Sequence, residues 1–240
     1  MTSIAANLQA VRARIAAASV AAGRPAESVR LLAVSKTWPA ASVREAVAAG
    51  QRAFGENYVQ EAVDKAKELA GLSLEWHFIG PLQSNKTRLV AENFAWVHSV
   101  DRLKIAERLA AQRPSDLAPL QVCIQVNVSG EASKSGCGPD QAATLAHAVT
   151  ALPGLCLRGL MAIPEPSEDK QLQRRRFALL RQLHGQLNAG GLKLDTLSMG
   201  MSHDLEAAIM EGATLVRIGT AIFGERDGLP SPQPPSRGRG

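Results

Sequence analysis

"RLLAVSKTWP", residues 30–39, is the stretch whose reading decides the fold. Consecutive apolar residues, Leu31 to Val34, lead into Ser35-Lys36-Thr37, and Trp38-Pro39 stops the run. An unbroken apolar run of this length suits a parallel strand covered on both faces. Lysine is poorly suited to a buried strand, so Lys36 is expected at the strand's end rather than within it.

The same pattern recurs along the chain. Strand-like runs fall at 52–56, 75–80, 96–100, 120–127, 157–163, 195–200 and 214–220, with helical patterns near 40–49, 58–70, 83–92, 102–111, 139–151, 168–188 and 203–211. Gly50 and Gly71 follow helix candidates as stop signals. Asn57 with Gln60 resembles a capping box, Pro139 suits a first helical position, and Ser202 is expected to cap the helix over 203–211. Ile4, Leu8, Val11 and Ile15 share one helical face, and Arg12 and Arg14 interrupt the apolar run, which argues for an amphipathic N-terminal helix rather than a targeting peptide. Eight strands alternating with helices predict an α/β fold, a single (β/α)8 TIM barrel occupying 1–227. A doubly wound sheet is the alternative, but no G-x-G-x-x-G follows a strand. The segment 228–240, "GLPSPQPPSRGRG", lacks apolar periodicity and reads as a disordered tail.

Composition narrows the function. The 240 residues are 45% apolar and 20% charged, as in ordinary globular proteins, and no run approaches a membrane span. A net charge of +5 favours an anionic small ligand over nucleic acid, because no zinc-finger spacing or RNA-binding aromatic signature accompanies it. Three cysteines, an odd number without C-x-x-C, fit a reducing cytoplasm, and Cys123 in an apolar run reads as core filler.

A barrel keeps its chemistry at the C-terminal ends of its strands. There the sequence places Lys36, then Glu56-Asn57, then the polar rim Gln83-Ser84-Asn85-Lys86, and finally "SMGMS" (198–202) and "RIGT" (217–220). The last two loops suit a phosphate: Gly200 and Gly219 allow close backbone approach, and Ser202 and Thr220 add hydroxyls. An amine across from a phosphate site can form an imine with a phosphorylated aldehyde or ketone. That leaves a sugar-phosphate aldolase or a pyridoxal phosphate protein. Arg217 lies two residues before Gly219, on the same side of the strand. An arginine at a pyridine nitrogen leaves that nitrogen unprotonated, which weakens the ring as an electron sink and disfavours transamination and decarboxylation.

Together "LLAVSKT", "FGENYVQEA", "WHFIGPLQSNK", "VHSVDR", "VNVSGEASKSG", "LRGLMAIP" and "LSMGMSHDLEAAIMEGATLVRIGTAIFGER" resemble the pyridoxal phosphate homeostasis protein family, over about residues 4–226. The resemblance implies a barrel like the N-terminal domain of alanine racemases, without their second β domain, and a cytoplasmic role in vitamin B6 homeostasis rather than catalysis. By residue it implies a Schiff base on Lys36, phosphate contacts from Ser202, Gly219 and Thr220, a ring-nitrogen contact from Arg217, and Asn57 and Met199 lining the ring. It implies no metal and no catalytic residue, a monomer, and pyridoxal phosphate-dependent apo-enzymes as recipients of the cofactor. A two-base racemase also needs a second acid/base. The one tyrosine, Tyr58, is expected to pack at a helix start, and His77 and His98 are expected to be satisfied core residues. A pyridoxal phosphate racemase or lyase, an aldolase and a nucleic-acid binder remain the alternatives.

Overall fold

A computed structural model describes residues 3–130 and 135–225 of the chain. Strands β1 (Arg30–Val34), β2 (Ala53–Glu56), β3 (Glu75–Phe78), β4 (Trp96–Val100), β5 (Leu120–Gln125), β6 (Leu155–Met161), β7 (Thr196–Ser198) and β8 (Leu215–Ile218) pair in chain order, and β8 returns to β1. Every pairing is parallel, so the sheet closes into the expected barrel. The proposed tail at 228–240 and part of "VNVSGEASKSG" lie outside the described residues.

The crossovers are α2 (Ala40–Ala48), α3 (Val59–Glu68), α4 (Thr87–Asn93), α5 (Leu103–Gln112), α6 (Ala142–Thr150), α7 (Lys170–Ala189) and α8 (Leu205–Met210). The N-terminal pattern forms α1 (Ile4–Ala21), capped by Ser3, with Leu8, Val11 and Ile15 buried as expected. A short α9 (Thr220–Phe223) follows β8, and Asn7 of α1 donates to the Ile222 carbonyl at 2.8 Å. No helix among the described residues is long and apolar enough to cross a membrane.

Strand residues alternate between two environments. Ala33, Phe54, Val97, Val216 and Ile218 join the large cluster between strands and helices. Leu32, Val34, Ile79 and Leu215 form one cluster inside the barrel, and Trp96, Cys123 and Met161 form another. Cys123 is fully buried, and burial pushes its thiol up to about 12, so it serves as an unreactive filler. The rest of the interior is polar: His77, His98, Ser198 and Arg217 are all nearly or fully buried.

Helix starts depart from expectation in three places. Tyr58 rather than Asn57 is the N-cap of α3, and Gln60 bonds to Asp64 at 3.1 Å, so no capping box forms. Pro139 lies in a turn ahead of α6, which begins at Ala142. Asp204, not Ser202, occupies the N-cap of α8, and its carboxylate accepts the Met201 N–H at 2.6 Å. Ser202 faces α9 instead, accepting from the Ala221 N–H at 3.4 Å. The pattern at 83–92 divides into a 3-10 turn (Ser84–Lys86) and α4.

Candidate functional site at the C-terminal mouth of the barrel

Lys36 follows β1 by two residues, half-buried, on the turn that carries the chain out to α2. Thr37 has φ +66°, the one described non-glycine residue with positive φ. A β-branched side chain there costs on the order of 1–3 kcal/mol and persists only where its surroundings impose it. The surroundings do so from α3. Glu61 accepts the Thr37 N–H at 2.5 Å, and Lys65 Nζ donates to the Ser35 carbonyl at 2.7 Å. Trp38 then stacks on Phe223 of α9 with ring centroids 5.9 Å apart. The lysine's backbone is thus clamped on both sides and tied to the end of the barrel sheet.

Beneath the turn lies a buried ion pair that the sequence did not announce. Lys65 Nζ meets Glu56 Oε1 at 2.7 Å, with side-chain exposures of 7% and 0%. Ser35 Oγ donates to the same oxygen at 2.7 Å. Burial raises the Glu56 carboxyl above its ordinary range, with Lys65 and Ser35 pulling it back. The only hint was spacing: Lys65 falls three residues after Ala62, at the edge of the face that buries Val59, Ala62 and Val63.

Across β1, strand β8 supplies Arg217 and Gly219. Arg217 pairs in register with Leu32 and points into the barrel, 3% exposed. It donates to Ser198 Oγ at 2.7 Å and to the Ala162 carbonyl at 2.9 Å. Loss of solvation lowers its pKa to about 10, so it stays a cation at neutral pH. Gly219 sits against the end of β1, where an added Cβ would lie 3.3 Å from the Val34 carbonyl oxygen. Gly200 has φ +97°, and a Cβ there would meet the Ala208 Cβ at 2.7 Å. Only glycine fits both requirements at position 200.

The other expected residues distribute as follows. Ser202 lies within the loop between β7 and α8, held in place by Arg14 of α1 through its carbonyl at 3.2 Å, and Thr220 begins α9 after β8. Asn57 follows β2, and its Oδ1 is buried with no hydrogen-bond partner. Met199 is fully buried in the layer between strands and helices, so its side chain faces away from the barrel interior. The Gln83–Lys86 rim forms the 3-10 turn, where the Ser84 carbonyl accepts from Thr87 and Arg108. His77 and His98 are fully buried and hydrogen-bonded, as expected for core residues. Among the described residues no His/Cys/Asp/Glu group is arranged to hold a metal ion.

An amine on a clamped turn, a buried arginine and a glycine-lined loop pair thus share one end of the barrel. Arrangements of this kind suit an anionic ligand with a carbonyl and an acceptor nitrogen. Residues 6–227 match the family model described as alanine racemase, N-terminal domain. A Pseudomonas aeruginosa protein called pyridoxal phosphate homeostasis protein is 66% identical, covering 95% of this chain and 97% of its own. The Escherichia coli protein of the same name is 57% identical, covering 95% and 98%. The structure of PipY from Synechococcus elongatus with pyridoxal phosphate bound superimposes with a TM-score of 0.81 at 40% identity, over 92% of this chain and 100% of that one.

Proposed function

Because the chain belongs to the pyridoxal phosphate homeostasis protein family, we propose that it holds pyridoxal 5'-phosphate as a Schiff base on Lys36, with little or no turnover. The observation that carries this reading is that Lys36, just past β1, lies beside the neighbouring strand β8, which carries Arg217 and is followed at once by Gly219. The residues present fit the cofactor. Gly219 leaves a space against Val34 that a Cβ would fill, and the buried Asn57 Oδ1 lacks a partner within the protein. When bound, the cofactor supplies an aldehyde carbon that condenses with the lysine amine, releasing water, together with a ring nitrogen and a phosphate.

The protein's part is mainly to position. The clamped Ser35–Thr37 turn fixes the direction of the Lys36 stem. Ser202, Gly219 and Thr220 receive the phosphate through hydroxyl and backbone groups. Asn57 borders the ring on the β2 side, and Met199 borders it through its backbone. Arg217, already a donor to Ser198 and Ala162, offers a further N–H to the ring nitrogen. A guanidinium gives up its proton reluctantly, so the nitrogen accepts a hydrogen bond and is not protonated. A ring in that state stabilises a carbanion poorly, which favours storage or delivery over catalysis. The cofactor's destination would be apo-enzymes that use it, from a cytoplasmic monomer formed by the single barrel unit 1–227.

Titration of the purified protein with pyridoxal phosphate tests the reading. A visible absorbance band should grow to one equivalent and be missing in Lys36→Ala. Racemisation or keto-acid release from a panel of amino acids, abolished by Lys36→Ala, would replace the carrier with an enzyme. A site that stays colourless would remove both.

A further inference from the structure

A line of hydrogen bonds crosses the barrel from its N-terminal end to the site. Arg30 Nη2 donates to Glu75 Oε1 at 2.7 Å, and both residues begin their strands. Glu75 Oε1 lies 2.6 Å from His77 Nε2. His77 Nδ1 lies 2.9 Å from His98 Nε2, and His98 Nδ1 lies 2.8 Å from Ser198 Oγ. Ser198 Oγ accepts from Arg217 at 2.7 Å. Five strands contribute to this line: β1, β3, β4, β7 and β8.

Hydrogen-bond bookkeeping fixes its direction. Glu75 is held ionised, its carboxyl pulled down to about 2, chiefly by His77, so it only accepts. His77 must therefore donate from Nε2. Complete burial keeps both imidazoles neutral, so each ring has one donor and one acceptor. His77 Nδ1 then accepts from His98 Nε2–H, and His98 Nδ1 accepts from the Ser198 hydroxyl. The hydroxyl proton is committed to His98, which leaves the Ser198 lone pairs to Arg217. Every group turns its negative end toward Arg217 and its positive end toward Glu75.

The arrangement accounts for an otherwise awkward cation. Among the described residues no carboxylate lies within ion-pair distance of Arg217; Asp204 acts on it only across space. A buried guanidinium without a counter-ion is costly. Aligned dipoles ending on a carboxylate offset that cost.

We infer that Glu75, His77, His98 and Ser198 are positioning residues for Arg217, fixing its orientation and its charge through one polarised chain that ends at the opposite face of the barrel. The inference deepens the reading above, because the guanidinium so fixed is the group proposed to meet the ring nitrogen. The chain makes the choice of donor and acceptor at the site depend on two tautomers more than one strand away.

Long-range nitrogen NMR on the wild-type protein without cofactor gives the first test. His77 and His98 should both be neutral Nε2–H tautomers at pH 7, and the Arg217 guanidinium should rotate slowly, with separate resonances. An Nδ1–H tautomer or a charged ring at either histidine would overturn the inference. The second test compares His98→Leu, which removes the acceptor for Ser198, with His98→Asn, whose Oδ1 can replace Nδ1. The leucine variant should speed Arg217 rotation, weaken pyridoxal phosphate binding roughly 10- to 100-fold and move the bound cofactor's visible band. The asparagine variant should recover most of each effect. Unchanged rotation, affinity and band in the leucine variant would overturn the coupling, as would asparagine behaving like leucine. If the wild type takes up no cofactor, the carrier reading falls, while the tautomers and the Arg217 resonances still decide the chain.

Discussion

Replacing Lys65 by methionine removes the ammonium from a carboxylate that has nowhere else to go. Glu56 is 0% exposed; its Oε1 meets Lys65 and Ser35 at 2.7 Å each, and its Oε2 has no partner. Breaking a buried pair from one side typically costs about 3–5 kcal/mol, because the remaining charge stays buried. The Glu56 pKa, already raised by burial, would rise further once its cation is gone. The folded state would then bind a proton that the unfolded state releases above its ordinary value of 4.5. Such a group destabilises increasingly as pH rises, so the variant's deficit should shrink between pH 7 and pH 5. Urea unfolding of Lys65→Met should show a loss of about 3–4 kcal/mol at pH 7. The double variant Lys65→Met/Glu56→Gln, with no buried charge, should recover at least half of it. A single-variant cost below about 1 kcal/mol, or a double variant as unstable as the single, would refute the reasoning. Cofactor affinity should fall in the single variant too, since Lys65 also holds the Ser35 carbonyl beside Lys36.

Three further outcomes follow from the geometry. Gly200→Ala combines φ +97° with a 2.7 Å clash at Ala208 and should cost about 2 kcal/mol of stability, measured by thermal unfolding. Gly219→Ala, with ordinary φ, should fold normally yet bind pyridoxal phosphate roughly 10-fold more weakly, read by spectral titration, because its Cβ crowds the loop against Val34. Burial holds His77 and His98 below their ordinary 6.5, so the unfolded chain binds protons there first. Stability from this source is complete above pH 6.5 and is lost as pH falls below it, by up to about 1.4 kcal/mol per pH unit for each histidine, measurable as a falling urea midpoint in wild type but less so in His98→Asn.

The barrel was legible because parallel strands covered on both faces leave continuous apolar runs, and "RLLAVSK" is of that kind, while "TLVRIGT" is interrupted only by Arg217. Placing Lys36, Asn57, Ser202 and Gly219 at strand ends followed from the fold class, since the mouth gathers whatever follows each strand. The helix starts were less legible. Ser202 has the chemistry of a cap, but Asp204 takes that place two residues on, and only the packing of α9 against the loop tells which. The ion pair and the histidine chain were out of reach for a different reason. Glu56 meets Lys65 across nine positions, and His98 meets Ser198 across a hundred. The first depends on how α3 folds back over the end of β2, and the second on barrel register and closure, which no local pattern encodes.

The most direct measurement of the central claim is borohydride reduction of the protein saturated with pyridoxal phosphate, followed by peptide mapping. A single pyridoxyl label on Lys36, with none on the protein after Lys36→Ala, is the expected result. Label on another lysine, or no label while the cofactor remains bound, would contradict the assignment of Lys36 as the covalent anchor.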